Sequence, residues 1–369
     1  MIILYTGIVL LCYSLISQKK YNLLVGCAFF LLIMGLQSNV DSDYETYQNI
    51  FENAEQSRTA DDEPLWDILS YCFRPFGWYF FVFCISLFQC FVVYRLVKKY
   101  NTADSTFIAP ILFFFTYGMM LIQMTAMRQG LAMETCLLPF LFDFSNKRKR
   151  IWPYFLVPMI SAYLIHNSSV VMVVPLLYYY YLLHKRGKAN KPARYSNFLF
   201  PVIVECVFIV VYIGKQYVFN DLFQQISLLA NANDMRLSGY LELGNEVDDV
   251  FELSWLIVLY DAIMIFLSAV LFSSQKGVYK VFAMMSILGF FLDTLLFGMG
   301  SMPRLGYYFV IANIVTIPCL YVMLKNRYGK LVSFLFLLFC FGYAVKTSFP
   351  YMTGTEHGGY GTYKFLFMQ

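Results

Sequence analysis

The stretch IAPILFFFTYGMMLIQ, residues 108–123, carries no charged side chain and no regular alternation of apolar with polar residues. A transmembrane β-strand requires that alternation. A run of this length and composition is instead typical of a helix that crosses a lipid bilayer, for which about 20 apolar residues are needed. Because similar runs recur along the whole chain, the sequence predicts a bundle of membrane-spanning helices.

The composition of the 369-residue chain agrees with this prediction. Hydrophobic residues make up 59% of the sequence and charged residues only 14%, with a mean hydropathy of +0.59. Soluble domains carry about a quarter charged residues. The composition therefore excludes a soluble enzyme, a disordered protein and a nucleic-acid binder, and we expect no nucleic-acid partner.

Apolar runs of spanning length occur about twelve times. The predicted spans are residues 2–17, 22–38, 77–97, 106–123, 124–144, 151–165, 167–183, 197–215, 253–273, 279–300, 305–324 and 331–347. The predicted fold class is all-α, a polytopic helical membrane protein. We expect one transmembrane domain over residues 1–369, with large outer loops at 39–76 and 216–252.

The distribution of charge predicts the orientation of the spans. With both termini outside, the cytoplasmic connections hold 19 of the 27 Lys and Arg residues, as the positive-inside rule requires. These connections are Lys19-Lys20, Arg95 to Lys99, Lys147 to Arg150, Lys185 to Arg194, Lys276 to Lys280 and Lys325 to Lys330. Most acidic residues lie in the two outer loops.

Both outer loops contain helical patterns. In the first, Tyr44, Tyr47 and Phe51 have the i, i+3, i+7 spacing that places side chains on one helix face. Glu63-Pro64 would open a second helix, because proline is favoured at a helix start. In the second loop, residues 218–229 form an amphipathic pattern suited to the membrane interface. Either loop is also compatible with a plain solvated connector.

Three basic side chains stand at the predicted outer ends of spans: Arg128, His166 and Arg304. A charge near hydrocarbon is costly unless it is paired or faces water, so such residues are functional candidates. The alternative is snorkelling, in which each long side chain reaches the headgroups. Arginine near a helix start adds to the positive field of the helix dipole. Because a guanidinium group binds phosphate through two parallel hydrogen bonds, we predict a pyrophosphate ligand at the outer surface.

Four carboxylates lie deeper within predicted spans, namely Glu134, Glu205, Asp261 and Asp293. They are compatible with a proton relay or with structural pairing inside the bundle. The cysteines show neither zinc-site spacing nor a disulfide framework, and they are typical of small apolar packing residues.

Several short motifs resemble the EpsG-type branch of the Wzy-like polysaccharide polymerases. They are Asp43-Tyr44-x-x-Tyr47, Glu63-Pro64-Leu65-Trp66, Arg128-Gln129-Gly-Leu-Ala132, His166-Asn-Ser, and Arg304 followed by Tyr307-Tyr308. They occur in the order found in that family and extend over most of the chain. In the second outer loop the resemblance rests on Arg236 and Tyr240.

The resemblance implies a GT-C-like integral-membrane glycosyltransferase in the bacterial cytoplasmic (inner) membrane, with its active face outside. It would polymerise lipid-linked oligosaccharide repeats for O-antigen, capsule or exopolysaccharide. The donor would be a chain linked to a polyprenyl pyrophosphate, undecaprenyl pyrophosphate would be released, and the reaction would need no metal and no cofactor. Chain-length regulators and a flippase are the implied protein partners. An O-antigen-type ligase, a lipid-linked oligosaccharide flippase or transporter, and a membrane O-acyltransferase remain alternatives.

The family reaction implies roles for the motif residues. Arg128 and Arg304 would hold the pyrophosphate, and His166 would be the general base, with Asp43 or Glu63 as rivals. The implied substrate-binding residues are Asp43, Tyr44, Tyr47, Glu63, Trp66, Gln129, Arg236, Tyr240 and Tyr307.

Overall fold

The structure is a computed structural model. It describes residues 13, 22–38, 42–53, 63–103, 105–109, 112, 119, 122–144, 151–185, 198–215, 255–297, 302–353 and 364–365. Of the predicted span 2–17, the structure describes residue 13 alone. The predicted loop 216–252, with its amphipathic pattern at 218–229, lies entirely outside the described residues.

The described chain is almost entirely helical. Its helices are α1 (Asn22–Gly35), α2 (Ser42–Glu52), α3 (Pro64–Phe73), α4 (Trp78–Tyr100), α5 (Ile122–Thr125), α6 (Met127–Leu141), α7 (Pro153–Ile165), α8 (Val173–His184), α9 (Leu199–Gly214), α10 (Trp255–Ser274), α11 (Val278–Leu296), α12 (Arg304–Val310), α13 (Asn313–Tyr328) and α14 (Lys330–Thr353). Two 3-10 helices, Arg74–Phe76 and Asn167–Met172, and two short strands, β1 (Gln37–Ser38) and β2 (Lys364–Phe365), complete the elements.

Four described helices are long and apolar enough to cross a membrane: α4, α10, α11 and α14. A fifth span results if α12 and α13 are counted together. Helices α1, α7 and α9 are apolar but shorter. The prediction of an all-α membrane protein is therefore confirmed. The count of about twelve spans and the GT-C-like arrangement go beyond these helices and stay predictions.

Helix α4 organises the first of two compact units, which comprises residues 1–184 and 313–369. It packs against α1, α6 and α13. Its buried face includes Val82, Ile85 and Val93, whereas Phe80 and Leu87 are exposed on another face. A helix with apolar side chains on every face is typical of one that borders lipid on one side and protein on the other.

The last turn of α4 fixes the end of α6. Lys99 Nζ donates hydrogen bonds to the carbonyl oxygens of Phe140 and Phe142, at 2.9 and 2.8 Å. These carbonyls lie at the carboxyl end of α6, where backbone oxygens have no partner within the helix and a cation is favourable. The carboxyl ends of α4 and α6 are therefore joined by Lys99, and the hydroxyl of Tyr100 also donates a hydrogen bond to the carbonyl oxygen of Phe140.

Helices α2 and α3 cover the other end of α4 with aromatic rings. The rings of Phe51 and Trp66 lie 5.2 and 5.3 Å from that of Phe81, in the first turns of α4. Tyr44, Tyr47 and Phe51 are all buried, which confirms the prediction that they share one helix face. The prediction that Pro64 opens a helix is also confirmed.

A two-residue strand pair joins distant parts of the chain. Gln37 pairs with Phe365 and Ser38 with Lys364, in antiparallel register. Since β1 follows α1 and precedes α2, the pairing holds residues 364–365 beside the segment that leads from α1 to α2. Sequence analysis did not predict this pair, because two residues are too few for a periodic pattern.

The second compact unit comprises residues 185–312. Within it α9 packs on α10, α10 on α11, and α11 on α12. The hydroxyls of Ser268 and Ser286 lie 3.0 Å apart between α10 and α11. A Cβ placed on Gly289 would lie 3.1 Å from the backbone nitrogen of Val310. Small residues that allow such close backbone approach are typical of helix contacts in membranes.

We predict that Gly289→Ala lowers the free energy of unfolding by about 1–3 kcal/mol, because the added methyl group meets backbone atoms that cannot rotate away. The measurement is thermal unfolding of the purified protein in detergent. Gly214→Ala is the matched control, since no heavy atom lies within 4 Å of its added Cβ. Equal unfolding temperatures for the two variants would contradict the prediction.

Candidate functional site

Glu63 is the residue immediately before α3. It lies at the amino-terminal cap position, yet its side chain makes no capping hydrogen bond to the helix. The carboxylate is instead almost fully buried, with the side chain 4% exposed. A buried carboxylate is costly without charged or hydrogen-bonding partners, and these partners come from two other helical segments.

The first partner is Arg128, the second residue of α6. Its Nη1 donates to Glu63 Oε2 at 2.6 Å. The guanidinium carbon also lies 5.1 Å from the ring centroid of Tyr47 in α2, within the distance at which a cation is attracted to an aromatic face. The side chain of Arg128 is 14% exposed. Carboxylate and ring therefore hold the guanidinium from two directions.

The second partner is His166, which follows the last residue of α7. Its Nδ1 lies 2.6 Å from Glu63 Oε1, and the side chain is 26% exposed. The backbone of His166 is extended, so α7 ends there and a 3-10 helix begins at Asn167. The backbone N–H of Asn167 also points to Glu63 Oε1, at 3.4 Å. The sequence predicted a break between the spans 151–165 and 167–183. At this break the imidazole lies beside the carboxylate.

Aromatic side chains support the cluster from behind. Trp66, one turn after Glu63, is fully buried, and its ring centroid lies 5.8 Å from that of Tyr47. The hydroxyl of Tyr44 donates to the backbone oxygen of Gln37 at 3.0 Å. Burial of these rings gives them packing roles in this structure. Their predicted contact with sugar stays a prediction.

The remaining predicted site residues have different placements. Gln129 is buried in α6 next to Arg128. Asp43 lies within the first turn of α2. Arg304 is exposed at the start of α12, and Tyr307 is half-buried in the same helix, both in the second unit. Arg236 and Tyr240 lie outside the described residues.

A group of buried polar side chains lies further along α6 and was only partly anticipated. Gln123 Nε2 donates to Glu134 Oε1 at 2.9 Å. Gln89, from α4, is fully buried, and its Nε2 would lie only 2.7 Å from a Cβ placed on Gly130. Glu134 was predicted as a deep carboxylate, whereas Gln89 was missed. In the sequence, Gln89 could have been recognised as an amide side chain within the otherwise apolar predicted span 77–97.

In the second unit, Asp261 is buried and its Oδ2 accepts a hydrogen bond from the hydroxyl of Thr294 at 2.6 Å. Lys215 Nζ donates to the carbonyl oxygens of Thr294 and Phe297, at 2.9 and 2.7 Å. Both deep carboxylates with a described hydrogen bond, Glu134 and Asp261, are thus bound to neutral side chains. This agrees with structural pairing.

The cluster of Glu63, Arg128 and His166 combines three chemical capacities. Arg128 presents a guanidinium that can bind an anion. His166 presents an imidazole, the side chain that most often acts as a general base. Glu63 supplies the negative charge that holds both groups. Such a set suits a reaction in which an anionic group leaves and a hydroxyl loses its proton.

The fold and this cluster define a helical membrane protein with an arginine–carboxylate–histidine site at the ends of its helices. A sequence model of the EpsG family matches residues 5–357, nearly the whole chain. The chain belongs to the EpsG family, which confirms the resemblance seen in the short motifs and indicates a polysaccharide polymerase of the glycosyltransferase type. No curated protein and no solved structure gives a significant match.

We predict that Tyr44→Phe lowers the free energy of unfolding by about 1 kcal/mol, because the backbone oxygen of Gln37 loses a buried hydrogen bond. Burial raises the pKa of Tyr44 above its ordinary value. Its contribution to stability is therefore complete below about pH 10, the ordinary value, and is lost as the pH rises further.

Unfolding of both proteins between pH 8 and pH 11 tests this prediction. The variant should be less stable at pH 8 and should lose less stability than the wild type on the alkaline side. A difference between the two proteins that grows with pH would contradict it.

Proposed function

We propose that the protein polymerises undecaprenyl-pyrophosphate-linked oligosaccharide repeats on the outer face of the bacterial cytoplasmic membrane. Glycosyl transfer proceeds without metal and releases undecaprenyl pyrophosphate. The observation that carries the proposal is that Arg128 and His166 bind the two oxygens of one carboxylate, Glu63. Arg128, one of the two predicted phosphate-binding residues, and His166, the predicted base, therefore contact the same carboxylate.

The position of this site along α4 supports an outward-facing reaction. Trp66, close to Glu63, packs on Phe81 near the start of α4, whereas Lys98 and Lys99 occupy its last turn. These ends are roughly 25 Å apart along the helix axis at 1.5 Å per residue. Because basic residues favour the cytoplasmic side, the site belongs on the opposite side.

In the proposed reaction a sugar hydroxyl of the incoming repeat attacks C1 of the growing chain. The bond between C1 and the pyrophosphate oxygen breaks, and undecaprenyl pyrophosphate leaves with the bonding electrons. Arg128 binds the departing pyrophosphate and stabilises its increasing charge, and Arg304 is proposed to share this role. His166 accepts the proton of the attacking hydroxyl.

The other elements of the proposal follow from family membership and from the sequence. The chain forms one transmembrane domain of about twelve spans with a GT-C-like arrangement. Asp43, Tyr44, Tyr47, Glu63, Trp66, Gln129, Arg236, Tyr240 and Tyr307 line or support the sugar-binding region. Chain-length regulators and a flippase are the proposed protein partners, and membrane lipid is the surrounding medium.

We predict that Arg128→Ala lowers kcat at least about 100-fold, since an electrostatic contact to the leaving group is lost, and that His166→Ala lowers it by about 10²–10⁴-fold. The assay uses purified protein in nanodiscs with a cognate undecaprenyl-pyrophosphate repeat and EDTA. Products are resolved as a ladder on a gel and by mass spectrometry.

Two exposed residues provide matched controls. Arg95→Ala removes an arginine of α4 whose guanidinium lies over Phe91, and His184→Ala removes a histidine at the end of α8. Both should keep the wild-type ladder. A full ladder from Arg128→Ala at normal protein level would disprove the assignment. The lack of any ladder from folded wild-type protein would favour the ligase or the transporter.

A separate prediction concerns the side of the membrane. Cys72, exposed in α3, should react with a membrane-impermeant maleimide applied to intact spheroplasts, because α3 carries the outer site. Cys72→Ser is the control that identifies the labelled residue. Labelling of Cys72 only after permeabilisation would place α3 in the cytoplasm and would contradict the proposed orientation.

A further inference from the structure

We infer that Glu63 is a positioning residue, which sets the tautomer of His166 and holds Arg128 in place, and that it neither contacts substrate nor accepts the reaction proton. This inference deepens the proposed function and rests on it for the roles of the two partners. It replaces the sequence-based alternatives in which Glu63 is the base or a sugar ligand.

The order of burial supports this role. The side chain of Glu63 is 4% exposed, compared with 14% for Arg128 and 26% for His166. A ligand that approaches from solvent therefore meets the guanidinium and the imidazole first, and the carboxylate lies behind them. Both carboxylate oxygens are already engaged, one with each partner.

The chemistry of the contact determines where the histidine carries its proton. An ionised carboxylate can only accept hydrogen bonds, so His166 Nδ1, at 2.6 Å from Glu63 Oε1, must be the donor. In the neutral imidazole the lone pair is then on Nε2. Nε2 is thus the atom that accepts the hydroxyl proton, and Glu63 stabilises the imidazolium that forms.

The same carboxylate also connects the leaving-group site to the base. The guanidinium of Arg128 contacts both the carboxylate of Glu63 and the ring face of Tyr47. One carboxylate therefore holds both the proposed phosphate ligand and the proposed base.

Glu63→Gln tests the inference because it preserves shape and removes charge. The amide oxygen would accept from Arg128, whose charged donor makes the stronger bond, and the amide NH₂ would donate to His166 Nδ1. The proton would then move to Nε2, the non-productive tautomer. In a comparable carboxylate–histidine pair, this exchange lowers kcat about 10⁴-fold.

We expect Glu63→Gln to lower kcat by about 10³–10⁴-fold with KM for the lipid-linked donor changed less than about threefold, since Arg128 keeps an oxygen partner. Glu52→Gln is the matched control. Glu52 lies in α2 and accepts a hydrogen bond from Gln48 of the same helix, and its variant should have wild-type kcat. Wild-type kcat in Glu63→Gln would overturn the inference.

A spectroscopic measurement tests the tautomer without any assay of activity. The chain has three histidines, so ¹⁵N-histidine labelling gives few ring signals, and His166→Ala identifies those of His166. We expect a protonated Nδ1 in the wild type and a protonated Nε2 in Glu63→Gln. A wild-type His166 with its proton on Nε2 would overturn the inference even if Glu63→Gln did not fold.

The two measurements separate failure of the inference from failure of the proposed function. If wild-type protein makes no polymer but His166 has the expected tautomer, the proposed reaction is wrong and the positioning role of Glu63 stands. If wild-type protein makes polymer and the tautomer is the opposite one, the reaction stands and the inference fails.

Discussion

The arrangement of the first unit depends on one buried carboxylate. Glu63 would be costly to bury alone, and it is stable in its place because Arg128 and His166 are held at hydrogen-bond distance. These residues belong to three separate segments, the start of α3, the start of α6 and the end of α7. Removal of Arg128 would leave the buried carboxylate without its charged partner. The carboxylate thus couples the geometry of the site to the packing of the helices that carry it.

The helices within each unit associate in a medium that offers little hydrophobic driving force. Lipid is as apolar as the helix surfaces, so helices in membranes associate through close packing and polar contacts. Both kinds of contact, close packing and polar contacts, are present in this protein. Gly289 allows α12 to approach α11, and hydrogen bonds connect Gln123 to Glu134 and Ser268 to Ser286. At the start of α4, α2 and α3 contribute buried aromatic rings instead, and the packing of these rings stabilises this end of the helix.

Sequence analysis predicted individual features of the site well. Arg128 at a helix start, His166 at a helix end and Pro64 at the opening of α3 are all found where local patterns placed them. It did not decide the role of Glu63, because a carboxylate before a helix is compatible with a cap, a base or a ligand. Nor did it predict the burial of Trp66, since that depends on Phe81 and Tyr47 from other helices.

The sequence by itself determined the class of the protein, its all-helical membrane character and, through ordered short motifs, its membership of the EpsG family. These properties depend on composition, periodicity and local residue types, which are legible one segment at a time. Only the tertiary structure decided that Glu63, Arg128 and His166 form one cluster, and that the carboxylate lies behind the other two. The three residues are far apart in sequence, so their distances and relative burial arise from helix packing, which no local pattern encodes.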